Sequence, residues 1–140
     1  MAQAEIKKVL DVDPKKFWDV ITTFSEYPEF VDGCKSVEIH DSGEALEATY
    51  QIWVIKDIEY RIRYEIDEPS GSLKWELVRS DFLKKNTGFW KLTPQGEHSV
   101  EVHYSLDIEF KIPVPGLILK KLLKTNFPKM IKDFEDRAKR

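Results

Sequence analysis

The sequence has little of what marks a secreted, membrane-spanning or metal-binding protein. It contains one cysteine, which cannot form an internal disulfide, and three histidines that lack the spacing of metal ligands. No apolar run approaches the roughly 20 residues that a membrane-spanning helix needs. The amino-terminal segment carries charges where a signal peptide needs an apolar stretch. We therefore expect a cytoplasmic protein that binds no metal.

Motifs of phosphate-binding loops and of hydrolases are also missing. The sequence has no glycine-rich phosphate loop and no Gly-x-Ser-x-Gly elbow. His98 falls in a predicted turn, His103 on the wet side of a predicted strand, and His40 near a strand end. We expect these histidines to be solvated. No residue qualifies as catalytic, no cofactor is indicated, and DNA is not an expected partner.

Charge is distributed unevenly along a chain of ordinary length. The 140 residues suit one domain with one core, which we expect to span residues 1–140. Residues 1–110 hold 13 Lys and Arg against 22 Asp and Glu, whereas residues 111–140 hold 9 against 3. Two interpretations of the basic end stay open. It is either a helix with a solvated basic face or a tail attracted to anionic lipid or RNA.

The first part of the chain predicts a strand followed by two short helices. "EIKKVLDVD" is typical of an opening strand. Asp13 can cap a helix whose first position is Pro14, where a missing N–H costs nothing. The buried stripe of this helix is predicted at Phe17, Val20, Ile21 and Phe24. Ser25 can cap a second helix over residues 26–32, and Gly33, which accepts a left-handed backbone conformation, can end it.

Between residues 34 and 110 the hydrophobic period changes to two, which predicts β-strands with one wet and one covered side. In "IEYRIRYEID" the covered side chains would be Ile58, Tyr60, Ile62, Tyr64 and Ile66. In the preceding strand they would be Ala48, Tyr50, Ile52 and Val54. The turns "EPSGS" and "TPQGEHS" separate alternating stretches. Strands joined by short turns predict an antiparallel meander.

The last part of the chain predicts one long amphipathic helix, from about Leu117 to Ala138. Its apolar stripe would comprise Leu119, Leu122, Leu123, Asn126, Phe127, Met130 and Phe134. Pro128 should kink it near Lys124, because proline removes a hydrogen bond and clashes with the preceding turn. Asn126 is the polar exception on this stripe. A buried amide needs a ligand, a water or a tyrosine hydroxyl as partner, unless the kink turns it outward.

The order of elements predicts an α+β fold with one curved antiparallel sheet. After a strand and two short helices come about six more strands and the long helix, which is left to cover the sheet. A strongly bent sheet need not close tightly on one helix. The space between them can therefore hold a ligand, although the pattern does not require a cavity.

Three stretches in sequence carry a resemblance to a known family. They are "DPKKFWDVITTFSEYPEFVDGCKSVEI", "NTGFWKLTPQGEHSVEVHYSLDIEF" and "PVPGLILKKLLKTNFPKMIKDFEDRAKR". In order and spacing they resemble the START-like helix-grip superfamily (SRPBCC), and within it the polyketide cyclase/dehydrase and coenzyme Q-binding group. The resemblance covers nearly the whole chain. It implies a helix-grip fold, in which a curved sheet of about seven strands wraps around the carboxyl-terminal helix.

The resemblance also implies a hydrophobic tunnel between sheet and helix. Family members hold lipids, isoprenoid quinones, sterols or polyketide intermediates there. Some are carriers, some are cyclases or aromatases, and one bacterial branch has been linked to ribosome association. The family has no universal catalytic motif, so the resemblance identifies no catalytic residue here.

Large aromatic side chains with polar tips are predicted on the covered face, and such side chains line ligand cavities well. The pattern alone fits a filled aromatic core equally, and the resemblance favours a cavity. The candidate ligand-binding residues are Tyr50, Tyr60, Tyr64, Trp75, Trp90, Tyr104, Leu119, Leu123, Asn126 and Met130. Arg79 shares the strand parity of Leu77. It would either point inward to an anionic head group or be exposed at the strand end.

Cys34 raises the question of a reactive thiol. A nucleophilic cysteine needs a depressed pKa and a nearby base, and none of the histidines lies close in sequence. Free cysteine is commonly a small buried hydrophobic residue, which is the interpretation we favour. Replacing Cys34 with serine should then cost some stability and leave ligand binding intact.

The segment that opens the terminal helix could touch an anionic bilayer while a ligand passes, through Leu117, Lys120, Lys121 and Lys124. The same residues also fit an ordinary helix with a core side and solvated lysines. Our leading hypothesis is a carrier of a hydrophobic small molecule, of lipid or isoprenoid quinone type. The alternatives are a polyketide cyclase or dehydratase and a ribosome- or membrane-associated interaction module.

Overall fold

A computed structural model describes residues 2–41, 43, 45–53 and 56–140. Val54, predicted on the covered face, lies outside the described residues. The strands are β1 Ala2–Leu10, β2 Cys34–Asp41, β3 Leu46–Trp53, β4 Asp57–Asp67, β5 Ser72–Ser80, β6 Leu83–Gly96 and β7 Ser99–Phe110. The helices are α1 Pro14–Thr22, a 3₁₀ helix Phe24–Glu29, α2 Gly116–Lys121, a π-helical turn Leu122–Asn126, and α3 Phe127–Ala138. We call residues 116–138 the terminal helix.

The strands form one antiparallel sheet in the order β1-β7-β6-β5-β4-β3-β2. Consecutive strands from β2 to β7 are neighbours, as expected for strands joined by short turns. The first strand instead crosses to pair with the last, with Ile6 opposite Tyr104. This topology confirms the predicted α+β, helix-grip fold with seven strands.

Among the described residues the strand register shifts at four places, and two of these bulges, each of which inserts one extra residue into a strand, affect the inner face of the sheet. In β5 the register shifts so that Ile62 pairs with Leu77 and Arg61 with Arg79, which leaves Val78 without a partner. In β6 Lys84 is the extra residue, between the pairs of Leu83 and Lys85 with β7. Bulges bend a strand and increase its twist. Here they also reverse which side chains face the inside of the sheet.

The first helix forms as predicted. The Asp13 side chain accepts a hydrogen bond from the Lys15 amide at 2.8 Å, and Pro14 follows it. Phe17 and Ile21 are fully buried, but Trp18 is buried where Val20 was expected and Val20 is only half-buried. Because α1 packs against both α3 and the sheet, its buried stripe is broader than one row of residues.

The second short helix differs from its prediction. It is a 3₁₀ helix that begins at Phe24 and ends at Glu29, so residues 26–32 were the wrong bounds and Ser25 does not cap it. Gly33 follows with a φ of +83°. A Cβ at Gly33 would lie 2.5 Å from the Trp53 carbonyl oxygen, so glycine is needed for both its conformation and this close approach.

The terminal helix is continuous through Pro128, which lacks the N–H that would bond the Lys124 carbonyl. The helix adapts just before it: the Phe127 amide donates to the Leu122 carbonyl, five residues back, as in a π-helix. The predicted interruption near Lys124 is therefore a π-helical turn. None of the helices in the described part of the chain is both long and apolar enough to cross a membrane.

Aromatic contacts fasten the helices to the concave face of the sheet. Trp90 on β6 packs edge-on against Phe17 of α1, with ring centroids 5.7 Å apart, and against Phe134 of α3, at 5.2 Å. Phe134 also meets Phe30 at 5.0 Å. This cluster is part of the main core and fills some of the space between the sheet and the helices.

Candidate functional site

A cavity of about 390 Å³ lies between the concave face of the sheet and the terminal helix. Its wall is mostly aromatic and aliphatic. The predicted ligand-binding residues that line it are Tyr50, Tyr60, Tyr64, Trp75, Trp90, Tyr104, Asn126 and Met130. Strand alternation predicted the six sheet residues correctly as inward-facing. Their role in ligand binding stays a prediction.

Leu119 and Leu123 do not line the cavity. Leu123 is half-buried and packs against the main core, and Leu119 is half-buried one turn earlier. The extra residue of a π-helical turn rotates the residues before it relative to α3. The prediction assumed regular α-helical spacing through this turn, and it therefore placed Leu119 and Leu123 on the cavity side of the helix in error. Leu122 and Phe127, from the same predicted stripe, do line the cavity.

Three phenols of the wall already have hydrogen-bond partners within the protein. The hydroxyl of Tyr50 bonds that of Tyr64, and the hydroxyl of Tyr27 donates to the Ile21 carbonyl. Burial, the largest cause, raises the pKa of Tyr27, Tyr50 and Tyr64 well above the ordinary value. These phenols are therefore neutral at physiological pH and act as fixed, uncharged parts of the wall.

The hydroxyls of Tyr60 and Tyr104 have no hydrogen-bond partner among the described residues. Burial raises the pKa of both phenols, and for Tyr60 the neighbouring Cys34 and Tyr104 add to the increase. Tyr104 is held between two indoles, with its ring centroid 4.7 Å from that of Trp90 and 5.8 Å from that of Trp75. Both hydroxyls remain protonated and free to meet a ligand or water.

Asn86 is a buried polar residue on the wall that sequence reasoning missed. Its Oδ1 accepts a hydrogen bond of 3.0 Å from the Trp75 indole N–H, and only 6% of the residue is exposed. Asn86 lies four residues before Trp90 in β6, so it has the same strand parity and could have been predicted on the covered face. The bulge at Lys84 lets both Leu83 and Asn86 face inward.

Cys34 also lines the cavity, at the start of β2. The residue is 9% exposed, and burial raises the pKa of its thiol to about 11. At neutral pH the thiol is protonated, so it is a poor nucleophile. The raised pKa supports the interpretation of Cys34 as a small buried hydrophobic residue over that of a reactive thiol. Because Cys34 touches the cavity, the expectation that serine leaves ligand binding intact stays a prediction.

The charged side chains of the described cavity wall lie at its edge. Lys129 of α3 bonds Asp32 at 2.8 Å and Asp133 at 3.1 Å, and all three line the cavity. Asn126 also lines the cavity and is exposed, so it lies at the cavity mouth and not on a buried stripe of the helix. On the sheet side the mouth is lined by Trp53, which is 55% exposed. The pair of Lys129 with Asp32 joins α3 to the residue before Gly33, and the pair with Asp133 lies within α3.

Arg79 faces away from the cavity. The bulge at Val78 breaks the alternation, so Arg79 is exposed and lies opposite Arg61 on the outer face of the sheet. Of the histidines, His98 is exposed, His40 bonds the Thr49 hydroxyl and His103 bonds Glu5, both at 3.0 Å. Within the described residues, no group of three or more His, Cys, Asp or Glu is placed to hold a metal ion.

The segment before the π-helical turn is poorly covered. Leu117 is 83% exposed and Ile112 is 54% exposed. Lys120, Lys121 and Lys124 are exposed and form no ion pair with the described part of the chain. Apolar side chains and unneutralised lysines therefore share the surface next to Leu122, which lines the cavity.

Comparison with known proteins agrees with this architecture. The chain is 28% identical to the ribosome association toxin RatA of Rickettsia prowazekii (strain Madrid E), over 94% of this chain and 92% of that protein. A START superfamily protein from Mycobacterium smegmatis superposes with a TM-score of 0.84 at 18% identity, covering 99% of this chain and 98% of the other.

The Zhui aromatase/cyclase from Streptomyces sp. R1128 superposes with a TM-score of 0.85 at 12% identity, over 99% of this chain and 93% of that one. At these identities the two structures demonstrate a shared fold. A family model described as polyketide cyclase/dehydrase and lipid transport matches residues 10–135. The chain therefore belongs to the polyketide cyclase/dehydrase and lipid transport family, and it shares the helix-grip fold of the START superfamily protein.

Proposed function

We propose that this protein binds and carries a hydrophobic small molecule of lipid or isoprenoid quinone type, as one cytoplasmic binding unit over residues 1–140. The observation that carries the proposal is the cavity of about 390 Å³ beneath the terminal helix, walled by aromatic and aliphatic side chains. Ligand cavities of this kind are concave, mostly apolar and supplied with a few polar groups. Tyr60, Tyr104 and Asn86 supply those polar groups here.

Burial of apolar surface would drive binding. Each methylene that leaves water for the cavity contributes about 0.8 kcal/mol, so a chain of several methylenes suffices for useful affinity. The phenols of the wall stay neutral because burial raises their pKa. A neutral apolar wall favours a carrier, which must hold its ligand without changing it.

The alternative function, which the family description includes, is that of a cyclase or dehydratase. Such an enzyme needs a general base as well as an acid near the reacting carbon. Protonated phenols can donate protons but cannot accept them at neutral pH. Asp32 and Asp133, the carboxylates of the described cavity wall, are engaged by Lys129 at the mouth. These features favour the carrier.

Native mass spectrometry of protein purified from its own host tests the carrier directly. We expect copurifying apolar ligand, or uptake of a fluorescent lipid by the emptied protein. Ile108→Trp should fill the cavity and reduce uptake, because Ile108 lines it and is half-buried. Val9→Trp on β1, where the side chain is 54% exposed, is the matched control. No ligand and no uptake in any preparation would refute the proposal.

The proposal includes transient contact with an anionic membrane through Leu117, Lys120, Lys121 and Lys124. Exposed apolar and basic side chains within about two turns of one helix are suited to the interface of anionic lipid bilayers. Leu122, the residue after Lys121, lines the cavity. Contact through these residues would therefore place the bilayer next to the cavity that receives the lipid.

The ribosome is the second candidate partner for the same lysines, because the relative from Rickettsia prowazekii is named as a ribosome association toxin. Cosedimentation with vesicles of phosphatidylcholine and phosphatidylglycerol, and separately with ribosomes, distinguishes the two. Changing Lys120, Lys121 and Lys124 to Glu should abolish binding to the true partner. The equal charge change at the exposed Lys8, Lys15 and Lys16 is the control. Equal effects of both sets would mean that net charge alone matters.

A further inference from the structure

The free polar atoms on the inner wall of the cavity share one property. Among the described residues, the polar side chains of the wall that lack a protein partner include the hydroxyls of Tyr60 and Tyr104 and the amide nitrogen of Asn86. All three can donate a hydrogen bond, and the amide nitrogen can only donate. The wall thus offers hydrogen-bond donors to whatever occupies the cavity.

The orientation of Asn86 follows from its partner. The Trp75 indole N–H is a donor without acceptor capacity, so the Asn86 atom 3.0 Å from it must be the carbonyl oxygen Oδ1. The two N–H bonds of the amide then point elsewhere. In the described part of the protein, Asp107 Oδ1 is the side-chain polar atom that is fully buried and has no hydrogen-bond partner. The Asn86 nitrogen also has no protein partner but is not fully buried, so it is accessible from the cavity that Asn86 lines.

Trp75 is itself held in place by Gly88, its cross-strand neighbour. A Cβ at Gly88 would lie 2.5 Å from Cζ2 of the Trp75 ring, so only glycine lets the indole lie across β6. The indole therefore sits where it can hold the Asn86 oxygen. This arrangement fixes the direction of the amide donors before any ligand arrives.

The described part of the inner wall offers no positively charged side chain that could pair with a buried anion. Lys129 is the cationic side chain on the described wall, and it is engaged by Asp32 and Asp133 at the mouth. A carboxylate placed deep in the cavity would lose its hydration without gaining an ion pair, which is costly. A neutral oxygen acceptor carries no such cost.

We propose that the inner wall recognises an uncharged ligand through a carbonyl oxygen, with the Asn86 amide N–H as its anchor. This inference rests on the proposed function and names the class of ligand. The hydroxyls of Tyr60 and Tyr104 supply further donors to oxygen atoms of the same ligand. A ketone, a quinone or an ester meets this requirement. A hydrocarbon lacks the acceptor, and a free fatty acid brings a charge.

The test compares three probes of equal chain length on the full chain: 2-undecanone, undecane and undecanoate at pH 8, by displacement of a fluorescent apolar dye. We expect the ketone to bind roughly three- to tenfold more tightly than the alkane, as one buried hydrogen bond allows. The carboxylate should bind more weakly than the ketone. Asn86→Leu should remove the preference for the ketone and keep binding of the alkane.

Gln95→Leu, at an exposed position in β6, is the control and should keep the preference. If Asn86→Leu fails to fold, Asn86→Met, whose thioether is a weak acceptor for Trp75 and carries no donor, should remove the preference in its place. A ketone preference that survives both Asn86 substitutions, equal binding of all three probes, or a carboxylate that binds as tightly as the ketone would overturn the inference and leave the carrier intact. Failure of every probe to bind would refute the proposed function and the inference with it.

Discussion

The two halves of the terminal helix are held in opposite ways. In the pinned half, residues 127–138, Ile131, Phe134 and Ala138 are buried and pack against the core. Arg137 reaches Glu29 at 2.8 Å and Glu26 at 2.9 Å on the 3₁₀ helix. In the loose half, residues 116–126, only Leu122 is buried. One helix thus has an anchored end and a weakly attached end.

A cavity bounded by such a helix can exchange its contents without unfolding of the whole protein. Local opening starts where few apolar side chains are buried and few contacts must break. The loose half meets this condition, and its residues Leu122 and Asn126 line the cavity. The pinned half keeps the aromatic cluster around Trp90 intact meanwhile.

Phe134→Ala should have the largest effect on stability. The ring is 2% exposed and meets three aromatic neighbours, so its loss leaves a void and should cost about 3–5 kcal/mol. Leu117→Ala, in the loose half, should change stability by less than about 0.5 kcal/mol. Urea unfolding followed by tryptophan fluorescence measures both. Equal losses would show that the two halves are not differently anchored.

Hydrogen exchange should separate the halves in the unaltered protein. Amides of residues 117–126 should exchange at least about tenfold faster than those of residues 129–138, because they open without breaking the core. Exchange followed by mass spectrometry gives this contrast segment by segment. A bound ligand should slow the loose half most, and uniform protection along the helix would contradict the comparison.

Arg137→Gln should weaken the pinned half by less than Phe134→Ala does. The guanidinium bonds two carboxylates and lies 5.1 Å from the centre of the Phe30 ring. The loss should be larger in low salt than at about 1 M salt, since surface ion pairs are screened over about 3 Å there. Thermal unfolding at both salt concentrations measures it. A loss independent of salt would assign the effect to packing.

Replacing Lys120, Lys121 and Lys124 with Gln should leave stability unchanged. These side chains are exposed and lack an ion pair with any described residue, so the fold loses nothing with their charge. Lys129→Gln, which removes two ion pairs of the pinned half, should lower the unfolding midpoint in the same assay. The comparison would fail if the triple substitution were the more destabilising of the two.

Alternation and helical spacing predicted most of the fold because each follows from the direction of side chains along a regular backbone. Tyr60, Tyr64 and Trp75 were placed on the covered face for this reason, and the structure has them there. The terminal helix was predicted within one residue at its start. The position of regular strands and helices, and the face on which each side chain lies, can thus be predicted from sequence.

The site was less predictable where the backbone departs from regularity. The bulges at Val78 and Lys84 depend on how neighbouring strands pair, and the sequence of one strand alone does not determine that pairing. One turned Arg79 outward and the other brought Leu83 and Asn86 to the same face. The π-helical turn moved Leu119 and Leu123 off the cavity in the same manner. Ion pairs such as Lys129 with Asp32 join residues 97 positions apart, beyond any local pattern.

The bulge at Val78 makes the charge of the cavity wall depend on strand register. Deleting Val78 would restore the alternation of β5 and leave Arg79 directly after the inward-facing Leu77, so Arg79 would stay on the outer face opposite Arg61. Closing the bulge while keeping Val78 would instead pair Val78 with Arg61 and Arg79 with Tyr60, and a neutral wall would acquire a cation without any change in composition. In this fold, a shift of register in one strand is therefore a short evolutionary path from neutral to anionic ligands.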